Sequence, residues 1–195
     1  MIKTQIIFQT KDVPTKILIS FLFTIAIALS SKINVPFYPV PMTMQTFCIL
    51  LCGITLGAKY GFITLSLYLF EGAIGIPVFS GTPEKGIGLI YLIGPTGGYL
   101  IGFVFSALIA GLLFSKRKFF FKKKYLIKYK IKDDIVTIFF KLIIALFPTY
   151  LFGLFWLGYI VGWDKPVLEL GLYPFLLGEF FKLTLLSLLI HKFFK

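Results

Sequence analysis

The sequence predicts an all-α integral membrane protein with six transmembrane helices and both termini in the cytoplasm. Three observations carry this expectation. Of 195 residues, 58% are hydrophobic and 24 are Phe, with a mean hydropathy of +0.93. No soluble domain hides that much apolar surface. The apolar runs are continuous rather than alternating, which suits helices and not a β-barrel. Finally, the basic residues cluster between the runs, as in loops retained on the cytoplasmic face of a bilayer.

Each span is read in turn, as parts of a single six-helix membrane domain covering residues 1–195. The first helix is placed at about 17–30. Asn34-Val35-Pro36-Phe37-Tyr38-Pro39-Val40-Pro41 follows and is too rich in proline to stay helical. Residues 42–70 form a long apolar stretch interrupted only at Gly57-Ala58-Lys59-Tyr60-Gly61. Charge decides whether it is one helix or two. Nine cations lie between Lys116 and Lys132, and so basic a loop, 115–134, belongs in the cytoplasm. Two helices, at about 43–57 and 61–71, put Lys3, Lys11, Lys16 and Lys59 on the same side as that loop. One helix would separate them.

The remaining spans are about 97–114, 135–160 and 170–190, with a kink expected at Pro148. A span of about 17 residues reaches only about 25 Å. The connections expected outside the cell, around 34–41, 71–94 and 161–169, are apolar and rich in Gly and Pro. They can fold down as a lid on a cavity.

Composition also excludes functions. The net charge of +12 comes from 20 Lys and Arg against 8 acids. In a soluble protein it would suggest nucleic acid; here orientation and lipid headgroups account for it, and no nucleic-acid partner is expected. Cys48 and Cys52 lie within an apolar run and read as small buried hydrophobes. The polar start, with no A-x-A site after the first apolar run, gives no expectation of a cleaved signal peptide. No phosphate-binding G-x-x-x-x-G-K-[ST] loop and no internal repeat is evident. His191 is the single histidine, and Asp133 and Asp134 balance the basic loop, so neither a metal set nor a Ser-His-Asp set can be assembled. An enzyme is not expected, nor is a cofactor.

Two charges then stand out, because Glu179 and Lys182 interrupt the last apolar run. Three residues apart, they share one helix face. Near a bilayer centre each would cost roughly 2.5–3.5 kcal/mol on insertion scales. Either they satisfy each other and tie the bundle together, or they floor a solute site. Thr43 and Gln45 at the start of the second helix, Glu71 at the end of the third, Lys85 in the following loop and Tyr99 after Gly97-Gly98 could join them in one aromatic-walled pocket. Helix capping by Thr43 and Gln45, an interfacial Glu71 and a solvated Lys85 are the plainer alternatives. On the first helix Ser20, Thr24 and Ala28 recur at spacing four, with Ala26 and Ser30 one face over. Small residues so spaced permit close helix approach, within the bundle or to a partner protein.

Four runs of residues resemble one known family. Pro39-Val40-Pro41-Met42-Thr43-Met44-Gln45-Thr46 is similar to the P-V-P-[IM]-T-x-Q-T run of the BioY family. Glu71-Gly72-Ala73-Ile74-Gly75-Ile76-Pro77-Val78-Phe79 resembles its G-A-x-G-x-P-V-F segment. Gly94-Pro95-Thr96-Gly97-Gly98-Tyr99-Leu100 matches its G-P-T-G-G-Y-L signature, and Pro174-Phe175-Leu176-Leu177-Gly178-Glu179 with Lys182 follows P-F-x-x-G-D-x-x-K. The resemblance implies the biotin-binding S component of an energy-coupling factor (ECF) transporter of the plasma membrane. Such a component works with a transmembrane coupling subunit and two cytoplasmic ATPases, and docks on the former through small residues of its first helix.

By ligand chemistry, Glu179 would accept from the ureido N–H groups of biotin and Lys182 would pair with its carboxylate; Lys182 donating to the ureido oxygen is the alternative. Glu179 stands where the family has Asp, and no Arg lies between the P-V-F and G-P-T-G-G segments, where Lys85 is the nearest cation. The competing readings are an S component for another vitamin, a solitary ion-coupled carrier using Glu179 as its proton site, and a purely structural bundle.

Overall fold

Gly57 decides the topology. The computed structural model describes residues 13–84, 86–114 and 133–193, beginning with α1, Val13–Lys32. The long apolar stretch is α2, Gln45–Ala73, with Gly57 alone in non-helical conformation at φ 77°, ψ 170°. In a straight helix Gln45 and Tyr68 would lie about 35 Å apart at 1.5 Å per residue. Instead Gln45 Nε2 donates to the Tyr68 hydroxyl at 2.8 Å. The helix therefore folds back on itself at Gly57 into two antiparallel arms, 45–56 and 58–73. The expectation of two helices holds, but one glycine makes the turn and the second arm starts at once, not at 61.

The remaining helices are α3 (Leu89–Ile93), α4 (Gly97–Phe114), α5 (Ile135–Val161), α6 (Val167–Gly171) and α7 (Tyr173–Phe193). Five helices are long and apolar enough to cross a membrane, and the turn at Gly57 divides one of them, α2, into two shorter arms. It is an all-α integral membrane protein. α4 is central: 67% of its span is buried, against 33–39% in the other long helices. It can sit so deep because small residues let it approach the α2 hairpin. A Cβ at Gly53 would lie 2.2 Å from the Ala107 carbonyl oxygen, and one at Gly111 would lie 2.2 Å from the Ala58 nitrogen. Ile49, Leu50, Leu65, Phe103, Ala107, Leu142 and Leu186 fill the main core. Outward, Leu18, Phe21, Phe147, Phe155, Phe180 and Phe181 are exposed, a surface that requires lipid.

Several boundaries differ from the expected ones. α1 is longer than 17–30 by a turn at its start and by Ser31 and Lys32 at its end. The last span, expected from 170, begins at Tyr173, and the short α6 precedes it. Two-residue strands β1 (Asn34–Val35) and β2 (Met42–Thr43) pair antiparallel across the proline run. Val35, before Pro36, is pushed to extended backbone, and it pairs with Met42 beyond the proline run. α5 continues through Pro148.

The segment between α2 and α4 is anchored inward. Phe79 is fully buried, with its ring 5.5 Å from that of Tyr68, edge-on, and stacked 5.0 Å from that of Tyr91. Gly72 leaves the room for it, since a Cβ there would lie 1.9 Å from Phe79 Cζ. The Tyr68 hydroxyl and the Ser31 hydroxyl each donate to the Val78 carbonyl at 2.9 Å. The Tyr91 hydroxyl donates to the Ser80 carbonyl.

Candidate functional site

At the loop end of the bundle a cavity with an open mouth is lined by β2, the first turn of α2, Ser80, Tyr91, α4, α5 and α7. One wall is aromatic. Tyr99 and Tyr150 meet edge-on at 6.1 Å, and Phe175 lies 6.4 Å from Tyr150. Tyr99 is held upright by its hydroxyl, which donates to the Gly171 carbonyl at 2.8 Å. The opposite wall is polar: Thr43, Gln45 and Thr46. The Thr43 hydroxyl accepts from the Gln45 backbone N–H at 3.3 Å and donates to Gln45 Oε1 at 3.2 Å. The N-cap of α2 is Met44, without a side-chain cap, so these contacts shape the cavity wall rather than cap the helix.

α7 supplies the floor. Its outward face carries Phe180 and Phe181, so three-residue spacing turns Glu179 and Lys182 inward, at 6% and 7% exposure. Lys182 Nζ donates to Glu179 Oε1 at 2.5 Å, to Thr46 Oγ1 at 2.7 Å and to the Thr43 carbonyl at 2.9 Å. An ammonium has three protons, and all three are used. Glu179 Oε1 also accepts from Thr46 at 3.0 Å. Glu179 Oε2 is buried without any hydrogen-bond partner. Glu179 lines the cavity while Lys182 does not. The Tyr150 hydroxyl approaches the Glu179 carboxylate, though not within hydrogen-bond geometry of Oε2.

This arrangement is half of each alternative. One carboxylate oxygen is tied into a buried ion pair with its neighbours, as a structural role would require. The other is an open acceptor, and a buried acceptor left unpaired costs about 1–3 kcal/mol. A ligand that brings N–H donors over the floor recovers that cost.

Of the residues singled out in the sequence, Thr43, Gln45, Tyr99 and Glu179 line the cavity together, and Lys182 lies just behind it. Glu71 does not join them. It lies on the second arm of α2 and accepts from the Thr24 hydroxyl at 3.0 Å, bridging α1 to α2. Lys85 lies outside the described residues, as does 115–132 of the basic loop. Thr46, Ser80, Tyr91, Thr96, Thr149 and Tyr150 line the cavity without having been singled out. Thr46 lies in the same run as Thr43 and Gln45; Tyr150 is one aromatic among many in an apolar helix and carries no distinguishing signal.

The small residues of α1 also turn mostly inward. Ser20, Thr24 and Ser30 are buried at 4%, 1% and 4%, and Ala28 packs against the core. Of the five, only Ala26 is exposed. Their spacing serves the α1–α2 seam in this structure; an open docking face built from all five is not present.

Fold and cavity define a small, multi-pass membrane protein with a polar and aromatic cavity at the loop end of its helices. The BioY family model matches residues 3–195, and the chain belongs to the BioY family, a transporter family rather than an enzyme family. It is similar to the probable biotin transporter BioY of Pyrococcus horikoshii, 34% identical over 83% of this chain and 85% of that one. The biotin transporter BioY of Thermotoga maritima is also 34% identical, over 86% and 89%. Among solved structures, the S-component for biotin from an ECF-type ABC transporter superposes with a TM-score of 0.69 at 21% identity, covering 92% of this chain and 90% of that one. At that identity it speaks for the fold.

Proposed function

We propose that this chain is the substrate-capturing S component of a biotin uptake system. It would lie in the plasma membrane and work with an ECF coupling subunit and two cytoplasmic ATPases. The observation that carries the reading is the unpaired Glu179 Oε2 at the cavity floor, in a chain of the BioY family.

Biotin presents two ureido N–H donors on a rigid, largely apolar bicycle, with a carboxylate on a flexible tail. The free carboxylate oxygen is an acceptor for those donors, and a charge-assisted hydrogen bond is about twice as strong as a neutral one. Tyr99, Tyr150 and Phe175 offer apolar faces to the bicycle. Lys182 is a positioning residue in this account: it fixes the Glu179 rotamer and offsets its charge, leaving Oε2 free. The assignment of the ligand carboxylate to Lys182 is not supported, since its three donors are taken.

The test is calorimetric titration of biotin into detergent-purified protein stripped of carried-over ligand. One-to-one binding is expected, weakened by about 10–150-fold in Glu179→Gln, the range of a hydrogen bond to a charged group. A folded wild type that takes up no biotin would falsify the reading.

A further inference from the structure

Lys32 ends α1, and its ammonium makes three contacts to the segment that closes the cavity. Nζ donates to the Phe79 carbonyl at 2.9 Å, and to the carbonyl and hydroxyl of Thr82 at 3.2 Å each. Ser80, between them, lines the cavity. All three acceptors are neutral, so the positive charge is held in place without being offset. Among the described residues no carboxylate pairs with Lys32, whereas Lys165 is paired with Asp164 and Lys182 with Glu179.

Lys32 does not itself line the cavity; its ammonium holds the backbone on either side of Ser80, which does, so a fixed cation stands behind that part of the wall. Fastening the segment needs only a donor; the Ser31 and Tyr68 hydroxyls already fasten Val78 next door. A neutral side chain could have done the same. Lys32 remains exposed, so a ligand atom at the mouth can reach its field.

We propose that Lys32 is the specificity-determining cation of this site, selecting ligands whose far end is anionic. The inference rests on the biotin reading. With the ureido donors over Glu179 Oε2, the flexible tail runs toward the mouth and brings its carboxylate under the 79–82 segment. Acceptor at the floor and cation at the lid then read the two ends of one molecule, a donor head and an anionic tail. A ligand with two neutral ends satisfies only half of the site.

The measurement is the ratio of affinities for biotin and for its neutral primary amide, taken by calorimetry on wild type, Lys32→Gln and Lys32→Arg in detergent. The three ammonium protons are already taken, so Lys32 acts through its charge, and wild type is expected to prefer biotin by about two- to fivefold, the range of an exposed ion pair. In Lys32→Gln the ratio should fall close to one, and in Lys32→Arg it should stay within about twofold of wild type. Using the ratio removes any loosening of the lid, which lowers both affinities together. An unchanged ratio in Lys32→Gln overturns the inference, leaving Lys32 a fastener only. Wild type that binds both compounds equally overturns it too, with the biotin reading intact. Wild type that binds neither overturns both.

Discussion

At the scale of single residues, the decisive contrast lies between the two oxygens of one carboxylate. Glu179 Oε1 receives Lys182 and Thr46, while Oε2 receives nothing. Removing only one member of the pair leaves a buried charge uncompensated, which costs about 3–5 kcal/mol. Lys182→Met should therefore lower thermal stability in detergent markedly. Replacing both residues, as Glu179→Gln with Lys182→Met, should restore most of the stability and still weaken biotin binding at least as much as Glu179→Gln alone. A double variant that remained as unstable as Lys182→Met would show that the pair holds the bundle together. Much of this site is legible in the sequence, because a charge in an apolar run of helical length must be answered by something. What spacing does not reveal is which atoms remain free. Residues 179 and 182 share a face, but only the rotamers, fixed by Thr46 and the Thr43 carbonyl, separate the ligand-facing carboxylate from the saturated ammonium. Glu71 misled for a related reason: its answer is Thr24, across a helix seam that no sequence interval displays.

At the scale of elements, two glycines in α2 do different work and should fail differently. Gly57 has φ 77° and ψ 170°, a region open essentially to glycine alone, yet nothing lies within 4 Å of a Cβ there. Gly57→Ala should cost about 1–3 kcal/mol of backbone strain and leave the packing intact. Gly53 is an ordinary helical residue, but its Cβ would meet the Ala107 carbonyl oxygen at 2.2 Å. Relief there requires α4 to move, and α4 lines the cavity through Tyr99, Leu100 and Phe103. Gly53→Ala is thus expected to lose stability and to weaken biotin binding, while Gly57→Ala loses stability with affinity nearly unchanged. Thermal melts beside titrations separate the two; equal losses of affinity would contradict the assignment. The break at 57–61 was readable from composition. The β1–β2 pair, α3 and α6 were not, since elements of two to five residues show no periodicity. They form because proline and glycine forbid long helices there and buried side chains such as Phe79 pin the result.

At the scale of the molecule, the two ends of the bundle differ in charge, and the difference bears on orientation. Lys16 sits over the Tyr60 ring at 4.8 Å, and Lys141 over the Phe114 ring at 5.7 Å. The start of α1, the α2 turn, the end of α4 and the start of α5 therefore share one end. The chain joins α4 to α5 there through the sequence that carries nine of its cations between Lys116 and Lys132. By position in the chain, Lys32, Lys85 and Lys165 fall at the other end against Glu71, Glu84, Asp164 and Glu169, close to balance. From the retention of basic loops we propose that the α2 turn lies in the cytoplasm and the cavity mouth outside, the side from which a solute would be captured. Lys59 and Lys165 are both exposed and mark the two ends. With Cys48 and Cys52 replaced by alanine, Lys165→Cys should react with a membrane-impermeant maleimide in intact cells. Lys59→Cys should react only after permeabilisation. The reverse pattern would put the lid and Lys32 in the cytoplasm. Capture from outside would then be impossible for this cavity without a different resting orientation, so the labelling experiment tests the direction of transport as well as the topology.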